Sequence, residues 1–282
     1  MHKGHQHMSC SRRSGYPLLI LPAVLLGVLG MIVEEISPVM WGQQIAAWVI
    51  LSLLTWLLPK PGKCLPAVVC CAAHAALAAT LLGAGAQGVR RWLDLGIFNI
   101  NAAMLLLPVL LAALYGAKYS QLFLLGAAAV LCLQPDLSQL TALSAASLPL
   151  LWARRKERIP SLIAVILLPL LIFFCAGRPV AVEPVSYCEN ILAALSAISP
   201  LLTAAGVAAL AAVPAYFFLQ YRRHQSLPAL SLSLYYAASL LFVLTGEYPV
   251  AFMGFGLSPI AGYFLLPLCG ISMSDGNSAS GV

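Results

Sequence analysis

The chain has 282 residues, of which 61% are hydrophobic and 9% charged; a soluble globular protein has roughly 45–50% and about 25%. With a mean hydropathy of +0.94, so sparse a charge excludes a water-soluble particle and leaves no length for a soluble catalytic domain. The net charge of +6 is not a nucleic-acid footprint, because in a membrane protein the informative quantity is where Lys and Arg fall along the chain. No nucleic-acid partner is expected.

A helical crossing takes about 20 apolar residues, so the chain has room for about ten. Residues 1–16 read as a cytoplasmic tail, with His2, His5 and His7 in a polar start. The first apolar segment, 17–33, ends at Val33-Glu34-Glu35 without a small-residue cleavage site, which predicts an uncleaved span rather than a signal peptide. Further segments follow at 41–58, 65–83, 99–116, 120–133, 138–152, 160–176, 190–219, 229–245 and 249–270. The fifth and sixth are short. The eighth is long enough to tilt, with Pro200 and Pro214 as kink points. Residues 271–282 form a second cytoplasmic tail. The expected fold is all-α: one polytopic bundle of about ten spans over 17–270, both termini cytoplasmic.

With ten spans and residue 1 inside, only Arg90, Arg91 and Arg178 of the fifteen basic residues fall outside, as retention of Lys and Arg on the cytoplasmic side demands. Of the nine acids, all but Glu157 and Asp275 fall outside: Glu34, Glu35, Asp94, Asp136, Glu183, Glu189 and Glu247. Acidic residues contribute little to orientation, so this clustering is not a by-product of topology. Cys70, Cys71, Cys132, Cys175 and Cys269 lie in apolar runs, where cysteine behaves as a small hydrophobe. No CxxC spacing or Cys/His ladder predicts a structural metal.

Chemistry is therefore sought in the outer loops. Gly83 to Gly96 leads a glycine-rich turn into Arg90, Arg91, Trp92 and Asp94. Arginine's planar fork suits phosphate, and Trp sits at headgroup level; an interfacial anchor with Asp94 neutralising an arginine explains the same residues. In Leu133-Gln134-Pro135-Asp136, Pro135 stops a helix and Asp136 stands at the start of the next, as a ligand-facing carboxylate or as a cap. Glu189, where the eighth apolar run begins, is placed for partial desolvation, which raises a carboxylate's proton affinity and suits a general base. A plain helix-start carboxylate fits that position too. Gly254 and Gly256 predict either close helix approach or broken helix lining a cavity. His74 reads as a packed, hydrogen-bonded residue.

Three of these segments, in order and on one side, resemble the SEDS family (shape, elongation, division and sporulation; the FtsW/RodA type) of bacterial plasma-membrane proteins. GVRRWLDLG at 88–96 is similar to the family's G-x-R-R-W loop, LQPDLS at 133–138 to its L-Q-P-D-L-G, and TGEYPVAFMGFGLS at 245–258 to its closing segment of Thr-Gly, Pro and Gly-x-Ser. The ten-span layout agrees. Asn101-Ala102-Ala103-Met104 stands where family members carry Q-P-S-E, Ser138 follows the L-Q-P-D-L run where they carry Gly, and the outer loop before residue 190 is short.

The resemblance implies polymerisation of a lipid-linked disaccharide-peptide (lipid II), in cell division or cell-shape maintenance, beside a class B penicillin-binding protein. Glu189 would take the place of the family's catalytic Asp as base. Arg90 and Arg91 would clamp the pyrophosphate, and Asp136 would support them or a divalent cation (Mg²⁺ or Mn²⁺). Trp92, Asp94 and Gln134 complete the expected substrate-binding set. Two other functions fit the same residues: a non-polymerising transporter or binding protein for the lipid-linked precursor, and a membrane scaffold for division proteins.

Overall fold

The computed structural model describes residues 10–58, 64–83, 85, 89–94, 96, 99–178, 184–246 and 248–269, with residues 10–14 as backbone alone. Each apolar segment yields a helix: α1 (Cys10–Val33), α2 (Pro38–Leu57), α3 (Pro66–Ala79), α4 (Ala102–Leu114), α5 (Ser120–Leu133), α6 (Leu137–Ala153), α7 (Arg158–Ala176), α8 (Ile191–Ile198), α9 (Pro200–His224), α10 (Leu227–Val243) and α11 (Leu257–Leu268). Gly15–Val33, α2, α7 and α9 are long and apolar enough to cross a membrane. The shorter apolar helices α3, α4, α5, α6, α10 and α11, with the eight-residue α8, make up the rest of the polytopic bundle. The all-α architecture is therefore as expected.

Several boundaries differ from the apolar pattern: α1 starts at Cys10, inside the stretch 1–16 expected as a tail, and three later segments are divided or begin late. The eighth segment is two helices, because Ser199 turns extended and its side chain caps Leu201 N–H while Pro200 opens α9; proline is at home in the first helical turn, where its missing N–H costs nothing. Pro200 is thus a helix start rather than a kink, and Pro214 lies inside α9. The fourth segment begins as a strand, β2 (Asn99–Asn101), paired antiparallel with β1 (Trp92–Asp94) in the register Trp92 to Asn101. The tenth becomes helical only at Leu257, after a non-helical stretch in which Phe252 holds a left-handed φ of 66°.

Centrally, α4, α6, α10 and α11 pack on one another, and α4 is buried along almost its whole length. Small residues permit this. A Cβ on Gly262 of α11 would meet the Met104 and Leu105 backbone of α4, the close approach that membrane helices use in place of a hydrophobic driving force. Asn101 caps α4 by accepting from Met104 N–H (3.0 Å), and its own N–H donates to Ser258 Oγ (2.8 Å), fixing α11 to α4. Peripheral α7 turns Leu162, Phe173 and Phe174 outward, at 60%, 80% and 60% exposure, as a lipid-facing helix should.

Buried polar groups find partners across the bundle, as they must where water is scarce. Tyr16 and Tyr263 stack 4.1 Å apart, and each hydroxyl donates to the other's carbonyl. Gln44 of α2 donates to Phe252 O (2.9 Å). His74 bridges Cys70 O and Phe123 O, joining α3 to α5, which is the packed role expected of it.

Candidate functional site

One end of the bundle gathers the turn after α3, the hairpin, the α5–α6 turn, the end of α7 and the stretch 184–190. Asp136 caps α6: its Oδ1 accepts from Ser138 Oγ (3.0 Å) and Gln139 N–H (3.2 Å). Its Oδ2 lies 3.4 Å from Arg91 Nε, and an Arg91 terminal nitrogen donates to Pro135 O (2.7 Å). Arg91 and Asp136 are 9% and 1% exposed, so each desolvated charge is neutralised by the other. The Arg91 guanidinium also stands 6.0 Å from the Tyr248 ring centroid. The cap reading of Asp136 holds: it caps α6, and its other oxygen faces the hairpin arginine rather than open space.

Arg90 and Arg91 do different things. Successive residues of an extended chain face opposite ways. Arg91 is buried, whereas Arg90 is exposed and donates to Leu81 O (2.8 Å), fastening the hairpin to the end of α3. Trp92 is half-buried in β1. Asp94 is exposed and accepts from Gly96 N–H (2.8 Å), with Gly96 at a φ of +79°. That is a local Asx turn, and among the described residues no arginine pairs with Asp94. Gln134 is fully buried, donating to Leu77 O (3.0 Å) and to Thr80 Oγ1, so it ties α5 to α3.

Arg178 belongs to this end and was passed over as a site residue. It is exposed, donates to Cys132 O (3.3 Å) and lies 5.7 Å from the Phe174 ring centroid. Its signal in the sequence was its place among the three outer arginines. Arg90 and Arg178 are therefore this end's solvent-facing guanidinium groups.

Glu189 is half-buried, and its carboxylate accepts from Val185 N–H (2.9 Å), closing a turn. The strand of backbone around it is laced to the stretch before α11. Val250 N–H donates to Cys188 O (3.2 Å), and Phe255 N–H donates to Tyr187 O (2.9 Å). Gly254 packs on the Cys188 carbonyl so closely that a Cβ would collide with it. Gly254 approaches a non-helical stretch rather than a helix, a Cβ on Gly256 would meet only Pro259 at 4.0 Å, and neither glycine lines the cavity beneath this end; both lie in the non-helical stretch before α11. Burial pushes the Cys188 thiol up, and the Glu189 carboxylate beside it adds to the rise. No ion pair joins Glu189 to Arg91; between them stand Gly246, beside the Asn190 side chain, and Tyr248, facing Arg91. Glu183 and Glu247 lie outside the described residues.

Beneath this end lies a cavity of about 30 Å³, lined by Ser138, Gln139, Tyr235, Tyr236, Ser239 and Tyr248 among others. That is room for a water or two, not a sugar. Tyr235 donates to Gln139 Oε1 (2.6 Å), while the buried Tyr236 hydroxyl has no hydrogen-bond partner among the described residues. Among the described residues no three His, Cys, Asp or Glu side chains converge. The Asp136 oxygens face Arg91, Ser138 and Gln139, so among the described residues Asp136 is not placed as a ligand to a divalent cation.

No protein-family model and no curated relative matches the sequence. Solved structures do match. A crystal structure of the Thermus thermophilus rod shape determining protein RodA is 19% identical, with a TM-score of 0.63 over 94% of this chain and 97% of that one. A point mutant of the same RodA gives the same identity and TM-score over 94% and 98%. A structure described as the structural coordination of polymerization and crosslinking by a peptidoglycan synthase complex is 21% identical, with a TM-score of 0.59 over 94% and 98%. The chain has the RodA fold along nearly its whole length.

Proposed function

We propose that this chain polymerises a lipid-linked disaccharide-peptide at the bundle end that holds Arg91 and Asp136. The observation that carries the reading is the buried Arg91–Asp136 pair, which joins the R-R-W hairpin to the Q-P-D helix start within a RodA fold. Glu189 takes the proton from the acceptor sugar hydroxyl. The freed oxygen bonds to the donor's anomeric carbon, whose bond to the pyrophosphate oxygen breaks, and the polyprenyl pyrophosphate leaves with the electron pair. The proton on Glu189 then passes to water.

Charge on the leaving pyrophosphate calls for exposed guanidinium groups, whose planar forks bind phosphate oxygens in pairs. Arg90 and Arg178 supply them; Arg91, neutralised by Asp136, holds the hairpin that presents Arg90. Trp92 contributes its half-buried ring at the same hairpin. A class B penicillin-binding protein is the proposed partner, in line with the synthase complex that shares the fold. The proposed location is the bacterial plasma membrane.

A second reading, binding or transport of the lipid-linked precursor without polymerisation, is favoured by one observation: the Glu189 carboxylate is engaged by the Val185 amide. The test is the purified chain in lipid, supplied with labelled lipid II, with and without a class B penicillin-binding protein. Glycan strands from the wild type support the polymerase. Folded protein that binds lipid II yet makes no strand in either condition supports the second reading.

A further inference from the structure

At the opposite end of the bundle, the turn between α4 and α5 and the turn between α6 and α7 are stitched into one surface. Arg154 donates to Tyr115 O (3.3 Å) and Ala117 O (3.2 Å) in the first turn and to Glu157 Oε1 (3.0 Å) in its own. Glu157 Oε2 accepts from Gln121 Nε2 (2.9 Å), and Ser161 Oγ donates to Arg154 O (3.0 Å). Glu157 is the sole acidic residue in 115–119 and 154–158, and Arg154 neutralises it. Lys118, Arg155, Lys156 and Arg158 are left exposed on that rigid platform.

Two aromatic side chains mark where this platform meets the apolar flank. The Arg155 guanidinium lies 4.8 Å from the Trp152 ring centroid, and the Lys118 ammonium 5.3 Å from that of Tyr119. Trp152 and Tyr119 are 67% and 59% exposed, next to outward-facing Leu122, Leu148, Ile159 and Leu162. Four cations, two amphipathic rings and an apolar skirt in sequence match the layering of headgroup, interface and acyl chain. We infer that this platform is a binding site for anionic phospholipid headgroups. The phosphate oxygens meet Lys118, Arg155, Lys156 and Arg158, and the acyl chains lie along Leu148 and Leu162. Retention of Lys and Arg on one side of a membrane accounts for the sign of the charge; it does not account for a neutralised acid, a part-buried stitch between the two turns, and rings set beside Lys118 and Arg155.

The test is native mass spectrometry of the full chain released from micelles carrying equal phosphatidylglycerol and phosphatidylcholine. The wild type should retain phosphatidylglycerol preferentially. The K118Q/R155Q/K156Q/R158Q variant, which keeps Arg154 and Glu157, should lose at least about tenfold of that preference, since each cation contributes up to about fivefold. R222Q/R223Q, charges elsewhere on the chain, should keep it. Should the quadruple variant not fold, K118Q and R155Q singly should each lose up to about fivefold. Equal retention of the two lipids by the wild type, as an acidic protein partner would give, overturns the inference. So does a folded quadruple variant with unchanged preference, or an equal loss in R222Q/R223Q.

Discussion

Arg91 and Asp136, 45 positions apart, meet at 3.4 Å between Nε and Oδ2 in an almost fully buried pair. One comes from the hairpin that follows α3 and the other caps α6, so the pair clamps two loops across the bundle end. Breaking a buried pair leaves an uncompensated charge and costs about 3–5 kcal/mol. Arg91→Ala should therefore destabilise the protein by about that much in a detergent unfolding titration. Arg91→Met with Asp136→Asn should cost less than the two single changes summed, because each removes the other's reason to be charged. Additive losses would refute the pairing.

The two neighbouring tyrosines that face the small cavity make different predictions. Tyr235 donates to the buried Gln139 Oε1, so Tyr235→Phe strands an acceptor and should cost about 1–3 kcal/mol. The Tyr236 hydroxyl makes no hydrogen bond to a described residue, so Tyr236→Phe should cost less than Tyr235→Phe. Thermal unfolding of both variants side by side decides the matter.

Gly254 has the Cys188 carbonyl where its Cβ would stand, whereas Gly42 in α2 has nothing within 4 Å. Gly254→Ala should displace the 184–190 stretch, and with it Glu189, lowering stability and strand formation together. Gly42→Ala should leave activity intact and stabilise the helix by roughly 0.5–1 kcal/mol. Circular dichroism melts paired with turnover separate the two.

The Cys188 thiol is held above its ordinary range by burial and by the Glu189 charge. A raised thiol stays protonated through pH 7–9, so its thiolate fraction, and hence its alkylation rate, is depressed there. Mass-spectrometric mapping after maleimide treatment at pH 8 should find the exposed Cys64, ahead of α3, labelled and Cys188 unlabelled until denaturant is added. Glu189→Gln removes the neighbouring charge and should speed Cys188 labelling; no change would mean burial alone protects the thiol. In stability terms the raised thiol weakens folding as pH climbs above the unfolded value, the reverse of a paired carboxylate.

Much of the fold was legible in hydropathy, since every apolar segment carries a helix. The eighth was misread as continuous because Ile191 to Leu219 is apolar throughout, which outweighed the Ser199-Pro200 start signal lying in plain view. The strands β1 and β2 are three residues each, too short for alternation to register. At the site, Asp136 as a cap was visible from Pro135 beside it. Its partner was not, because pairing across 45 residues is a matter of helix packing rather than local pattern. Arg90 and Arg91 looked equivalent in sequence, and extended geometry separates them into an exposed group and a buried one. The 184–190 stretch that carries Glu189 is held by backbone hydrogen bonds from Val250 and Phe255, a long-range pairing that the motif at 245–258 does not announce.

The central claim rests on Glu189, and the most direct measurement is lipid II polymerisation by the wild type, Glu189→Gln and Glu189→Asp in the same lipid. The account predicts strands from the wild type and a loss of at least about 10²-fold in the Gln variant, the lower range for a general base. The Asp variant should keep part of the rate, since it keeps the carboxylate while shifting it by one methylene. A folded Gln variant that polymerises at the wild-type rate would contradict the account and remove Glu189 from the chemistry.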